Sequence, residues 1–138
     1  MEFTVRNLEE KDYEILSEWW LFWWKTKVPR KMLPDNLSDG VMIEYNGVPV
    51  SAGFIYATSS RYLYWMEFII SSPTFRDKKL RKEALDFNIK VLIDIAKRGG
   101  ALTIFSSIHH KGLISKCVEN GFIETDKGMT NLIYSFKS

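Results

Sequence analysis

Hydrophobic and polar residues along this chain recur with two periods, and each change of period marks a boundary between elements. Phe3-Thr4-Val5-Arg6 predicts a short opening strand. Glu9 and Glu10 precede a stretch over about residues 11–25 in which Leu16, Trp19, Trp20, Trp23 and Trp24 fall at helical spacing on one broad face. Pro29 and Pro34 end it and bracket a loop or a short second helix. Residues 41–45 and 48–56 read as strands joined by Asn46-Gly47, the pair a type I′ turn prefers. A strand over 63–70 stops at Ser71-Ser72-Pro73. From 78 to 97 the period is helical, with Leu80, Ala84, Phe87, Val91 and Ile95 on one side and Gly99-Gly100 closing the helix. A strand over 102–108, a short helix over 111–120 ended by Gly121, and two last strands near 122–124 and 130–136 complete the order β-α-β-β-β-α-β-α-β-β. The strand–helix–strand unit from 63 to 108 requires parallel pairing through a crossover. The prediction is therefore an α/β (α+β) fold: a mixed, mostly antiparallel sheet with one parallel pair at its centre and helices on both faces.

Composition narrows the function classes. At 138 residues and 46% hydrophobic, the chain predicts a single domain, 1–138, with a core that needs neither disulfides nor a structural metal. Cys117 is the sole cysteine and has no internal partner, which points to a reducing, cytoplasmic setting. No apolar run is long enough for a membrane span. With two histidines, one cysteine and no paired-ligand spacing, no metal site is expected. A net charge of +2 does not announce a nucleic-acid binder, but its distribution is uneven. Residues 1–44 carry six basic and nine acidic groups, whereas residues 61–98 carry nine and five. The positive charge peaks in Arg76-Asp77-Lys78-Lys79-Leu80-Arg81-Lys82, five of whose seven residues are cationic.

Three segments carry a resemblance. Glu67-Phe68-Ile69-Ile70-Ser71-Ser72-Pro73-Thr74-Phe75-Arg76 runs from a strand into a loop. Arg76-Asp77-Lys78-Lys79-Leu80-Arg81 opens the long helix, and His110-Lys111-Gly112-Leu113-Ile114-Ser115-Lys116-Cys117-Val118-Glu119-Asn120-Gly121-Phe122 ends in a Gly-Phe pair. With the element order, these resemble the GCN5-related N-acetyltransferase (GNAT) superfamily over essentially the whole chain, in particular its small phage and bacterial members. The family's loop reads Gln/Arg-x-x-Gly-x-Gly/Ala; here Lys79 and Arg81 stand where it has glycines.

The resemblance implies an acetyl-coenzyme A-dependent N-acetyltransferase, with acetyl-CoA as donor and a primary amine, on a small molecule or a protein, as acceptor. Backbone N–H groups at a helix start bind phosphate, helped by the helix dipole, so the resemblance assigns Arg76, Asp77, Lys78, Lys79, Leu80, Arg81 and Lys82 to the pyrophosphate. It assigns Ile69, Ile70 and Ser71 to the pantetheine arm, and His110 to the position where the family often has an asparagine touching that arm. Glu67 is the candidate to take the proton of the attacking amine. Cys117 stands where the family usually has the tyrosine that protonates the leaving thiolate; Tyr134 or water are alternatives.

Several readings stay open. The cationic loop replaces part of the backbone cradle with side-chain charge, or fills it, or is a solvated helix face. Glu67 is a catalytic base or a surface strand glutamate. Cys117 is an acid or a small buried hydrophobe. The tryptophans are more numerous than one core face needs, so Trp20 and Trp24 are candidates for stacking on the acceptor, against core packing or a self-association patch that would give a homodimer. The competing function is a non-catalytic binding module whose basic loop and tryptophans hold nucleic acid, another phosphate-bearing partner or a protein.

Overall fold

The computed structural model describes residues 2–136. Its elements are β1 (Phe3–Asn7), α1 (Asp12–Trp24), two single 3₁₀ turns at Arg30–Met32 and Asp35–Leu37, β2 (Gly40–Tyr45), β3 (Val48–Ala57), β4 (Leu63–Ser71), α2 (Lys78–Arg98), β5 (Thr103–Phe105) and α3 (Lys111–Glu119). The five strands form one sheet in the order β1-β2-β3-β4-β5. The first four are antiparallel neighbours, and β5 pairs with β4 in parallel.

Local chemistry accounts for the boundaries. Asn46 and Gly47 both have positive φ, 50° and 83°, as a type I′ turn demands. At the start of α1, the buried Asp12 carboxylate accepts from the Glu9 N–H at 2.8 Å and from Arg6 Nη1 and Nη2 at 2.8 and 2.9 Å. Burial alone would raise the Asp12 carboxyl, but these bonds hold it below its ordinary value. The Asp77 carboxylate caps α2 by accepting from the Leu80 N–H at 3.1 Å, and His110 Nδ1 caps α3 by accepting from the Leu113 N–H at 3.3 Å.

The sheet is covered on both sides. On one face, Leu16, Trp19 and Trp20 of α1 pack with Leu37, Met42, Ala52, Phe54 and Ile70. On the other, Ala84, Ile89, Leu92 and Ala96 of α2, with Cys117 of α3, pack against Val41, Ile43, Val50, Ile55, Met66 and Ile69. The buried stripe of α2 is thus turned from the expected one. Ala84 belongs to it, but Leu80, Phe87 and Val91 are half-buried and Ile95 is exposed, while the polar Asn88 is fully buried. A single asparagine inside the apolar stripe disguised it.

Two expectations fail at the C-terminal side. β5 has three residues, not seven, because the chain leaves β4 after Phe105. The strands expected near 122–124 and 130–136 are absent: Phe122 still packs on the core, but Ile123, Leu132 and Phe136 are 85–88% exposed. Without them, the parallel pair lies at the end of the described sheet rather than at its centre.

Candidate active site

The site originates in a defect of β4. Ile70 pairs with Ala52 and Glu67 with Phe54, so Phe68 and Ile69 together oppose Gly53. This is a β-bulge, and Phe68 sits in it at φ 58°, a left-handed conformation that costs a non-glycine residue about 1 kcal/mol. Packing sustains it: the Phe68 ring meets Trp20 and Phe54 edge-on, each at 6.1 Å between centroids. A Cβ on Gly53 would lie 3.0 Å from Leu92 Cδ1, 3.1 Å from Ile69 Cγ1 and 3.3 Å from Asn88 Oδ1, so glycine suits the place where α2 closes over the bulge.

The bulge interrupts the alternation of side chains. Tyr64, Met66 and Ile69 face α2, while Phe68 and Ile70 face α1. Glu67 shares the side of Trp65, whose Nε1 donates to Glu67 Oε2 at 2.9 Å. Consecutive residues Glu67 and Phe68 therefore project together on the α1 side. At the same point β5 departs. Its last rung is Trp65 with Phe105, whose rings are 4.6 Å apart; Ser106 Oγ still donates to the Met66 carbonyl at 2.8 Å, and then the chains separate.

The separation opens a cleft of about 870 Å³. Its floor is β4 from Glu67 through Ser71, its far wall is residues 106–110, and its ends are α1, α2 and α3. Trp23 and Trp24 supply the α1 side; Lys78, Arg81 and Lys82 supply the start of α2; Lys116 comes from α3. Trp23 Nε1 donates to the Ser71 carbonyl at 2.7 Å, tying the end of α1 to the end of β4. The Arg81 guanidinium lies 5.9 Å from the Trp23 ring centre and donates to the Phe75 carbonyl at 3.4 Å, so it folds against the wall of the cleft.

Of the residues singled out from sequence, Glu67, Ile69, Ile70, Ser71, Lys78, Arg81, Lys82, His110 and Trp24 line this one cleft. The others do not. Arg76 is exposed, Asp77 uses its carboxylate as the α2 cap, and Leu80 is half-buried outside the lining. Lys79 lies over a neighbouring depression of 540 Å³, beside Glu83 and Asp86. Trp20 is fully buried, stacked on Trp24 at 6.1 Å, and has no face toward the cleft. Cys117 is buried among the α2-side core residues, and burial pushes its thiol up to about 11. Tyr134 is exposed on the C-terminal segment.

Other residues of the site had no sequence signal. The alternation of Met66-Glu67-Phe68-Ile69-Ile70 conceals the bulge, and Gly53 opposite it was the one available hint. Behind the floor, Asn88 Nδ2 donates to Ser51 Oγ at 2.9 Å, and Ser51 Oγ donates to the Ile70 carbonyl at 3.1 Å. This buried chain fixes α2 to the strand that lines the cleft. Among the described residues, no three His, Cys, Asp or Glu side chains gather as metal ligands would, and no helix is long and apolar enough to cross a membrane.

Comparison with known proteins locates this architecture. No family model and no curated sequence matches the chain. Solved structures do. A Thermus thermophilus protein superposes with a TM-score of 0.74 at 15% identity, over 99% of this chain and all of its own. The N-acetylglutamate synthase of Neisseria gonorrhoeae, complexed with coenzyme A and N-acetyl-glutamate, superposes at 0.72 and 15% identity over 91% of this chain, which spans 29% of the synthase. The glucosamine-6-phosphate N-acetyltransferase of Arabidopsis thaliana superposes at 0.63 and 17% identity, over 97% of this chain and all of its own. At 15–17% identity these likenesses show the fold: the mixed, mostly antiparallel sheet with its parallel β4–β5 pair is GNAT-like.

Proposed function

We propose that the protein is an N-acyltransferase that moves an acetyl group from acetyl-coenzyme A to a primary amine by direct attack. The observation that carries this reading is the splayed, bulge-floored cleft of about 870 Å³, which joins the start of α2 to Glu67. The structurally similar acetyltransferases support it. The cations at the start of α2 suit the donor's pyrophosphate: Lys78 and Lys82 are exposed at the cleft, and Arg81, beside Trp23, reaches back to the Phe75 carbonyl just before the helix. Asp77 is left out of this assignment, because a capping carboxylate would repel phosphate.

In this reading the backbone of Ile69, Ile70 and Ser71 orients the donor's thioester, and most of the rate comes from holding amine and thioester together with fixed dipoles around them. Glu67, held by Trp65 Nε1 and by the Phe68 N–H at 3.3 Å, takes the proton that the amine must lose. Cys117 packs the core, and the leaving thiolate takes its proton from water. The acceptor is a small molecule or a protein amine, and the lone buried thiol suits a cytoplasmic site. The binding-module alternative has less support. Beside the cleft, Lys90 bonds Asp86 at 2.6 Å and Lys116 bonds Glu119 at 3.3 Å, so the α2–α3 surface is of mixed sign rather than a phosphate patch.

The test is thermal unfolding with saturating acetyl-coenzyme A. At a hundred times its dissociation constant a ligand adds about 2.7 kcal/mol, which for a domain of this size raises Tm by roughly 8 °C. Free thiol should then be released when an amine is added. A shift equalled by adenosine alone, or none at millimolar donor, overturns the reading.

A further inference from the structure

The two sides of the cleft differ in charge. Its basic lining, Lys78, Arg81, Lys82, His109, His110 and Lys116, comes from α2, α3 and the segment between β5 and α3. Both helices pack on one face of the sheet. Glu67 lies with Trp65 on the opposite face and the bulge turns Phe68 to that face too, where α1 contributes Trp23 and Trp24. On that side α1 and β4 contribute aromatic rings and one carboxylate to the cleft, and neither element lines it with a cation. From α2, Arg81 approaches this side beside Trp23, at the Ser71 end. Ser71 lies four residues from Glu67, but the bulge takes up one of them: the two pair with Ser51 and Phe54, three residues apart, or about 10 Å along the partner strand.

The carboxylate there is uncompensated. Glu67 accepts from two N–H groups, and among the described residues neither Glu67 nor Asp39 has an ion-pair partner. Tyr56, whose neighbour across the sheet is Trp65, keeps a buried hydroxyl without a hydrogen-bond partner. Burial, then the charges of Glu67 and Asp39, push that hydroxyl's ionisation upward. A region of π faces and unpaired carboxylate attracts an ammonium ion and offers nothing to an anion.

We infer that the acceptor is an apolar or aromatic primary amine that enters as an ammonium cation and carries no carboxylate or phosphate. Its ring or chain lies against Trp24 and Phe68, and its nitrogen lies at Glu67. On reaching Glu67 the ammonium gives up one proton to the carboxylate, and the freed lone pair is aimed at the donor's carbonyl carbon. Amino acids and sugar phosphates, whose anionic group would sit beside Glu67 with no counter-charge, are excluded by repulsion.

This inference rests on the proposed acetyl transfer, and matched probes separate the two. Tyramine, tyrosinamide and tyrosine share one skeleton and differ in the group next to the amine. With acetyl-coenzyme A bound, tyramine and tyrosinamide should exceed tyrosine by at least about tenfold, both in kcat/KM and in the concentration needed to stabilise the donor-bound protein. Glucosamine 6-phosphate should rank with tyrosine. Trp24→Arg, which adds a cation to the α1 side at an exposed position, should raise the tyrosine-to-tyramine ratio by at least about fivefold. Donor-induced stabilisation with tyrosine equal to or better than tyramine overturns the acceptor class and leaves acetyl transfer standing. An unchanged ratio in Trp24→Arg, with its melting transition intact, also overturns it. Absence of donor-induced stabilisation, together with absence of thiol release from every probe, overturns both.

Discussion

From residue 63 to 66, β4 is hydrogen-bonded on both flanks, to β3 through Ala57, Tyr56 and Ile55 and to β5 through Thr103, Ile104 and Phe105. From 67 to 71 it keeps β3 but has lost β5, and a bulge tilts its side chains. Both stretches are rich in aromatic and branched residues, and composition does not distinguish them. The first half is structure because every edge is paired. The second is a candidate site because one is not: past Phe105 it has no strand on that edge, which is enclosed in a cleft instead of exposed to other chains.

The sharpest way to break this comparison is Glu67→Gln, at the first residue of the open half. Loss of the proton acceptor should lower kcat/KM by about 10²- to 10⁴-fold in steady-state acetyl transfer. The melting temperature should hardly move, since glutamine can still accept from Trp65 Nε1. A collapse of stability instead would make Glu67 a structural residue of β4, like those of the paired half.

Gly53→Val attacks the bulge from across the ladder. The added branches meet Leu92, Ile69 and Asn88, and overpacking of this kind costs about 2 kcal/mol, read as a lower urea midpoint. A valine tolerated without loss would show that β4 and α2 yield at this point and that the bulge is soft. Ser51→Ala acts from beneath the floor. It strands the buried Asn88 amide and removes a bond to the Ile70 carbonyl, for a loss of about 1–2 kcal/mol. The KM for acetyl-coenzyme A should rise with it, whereas a change in stability alone would confine the network to packing.

The smallest effect on activity belongs to Cys117→Ala, which should leave turnover within about twofold because the thiol lies outside the cleft. Its signature is in the pH dependence of stability. The thiol is raised from 9.0 to about 11 in the folded protein, so the unfolded chain loses its proton first as pH rises. The stability this contributes is complete below pH 9 and is lost as pH climbs toward 11; Cys117→Ala should remove that part of the decline in denaturant titrations.

The contrast within β4 also marks where sequence reading succeeds. Elements whose signal is local were legible: the Asn46-Gly47 turn, the span of α1 ended before Pro29, the glycines closing α2, and the crossover that makes β4 and β5 parallel. The candidate site residues Glu67, Ile69, Ile70 and Ser71 came from the resemblance instead, and the structure brings them into one cleft. What escaped depends on tertiary competition. Trp19 and Trp20 face the core while Trp23 and Trp24 are exposed at the helix end, though all four share one helical face pattern. Asn88 reads as a polar interruption until Ser51, thirty-seven residues away, is found bonded to it. Strand propensity over 130–136 is real, but propensity does not supply a neighbour, and the described chain runs there without one.

The bulge makes the cleft a question of chain length as much as of chemistry. One surplus residue opposite Gly53 separates an unbroken ladder from the present one. Deleting that single position would bring Gly53 and its partner strand back into step, and Glu67 and Phe68 could no longer share a face. A one-residue deletion there would close the bulge while Glu67 and Ser71 both remain. Searches for related activities should therefore count spacing between Glu67-like and Ser71-like positions before weighing their identities.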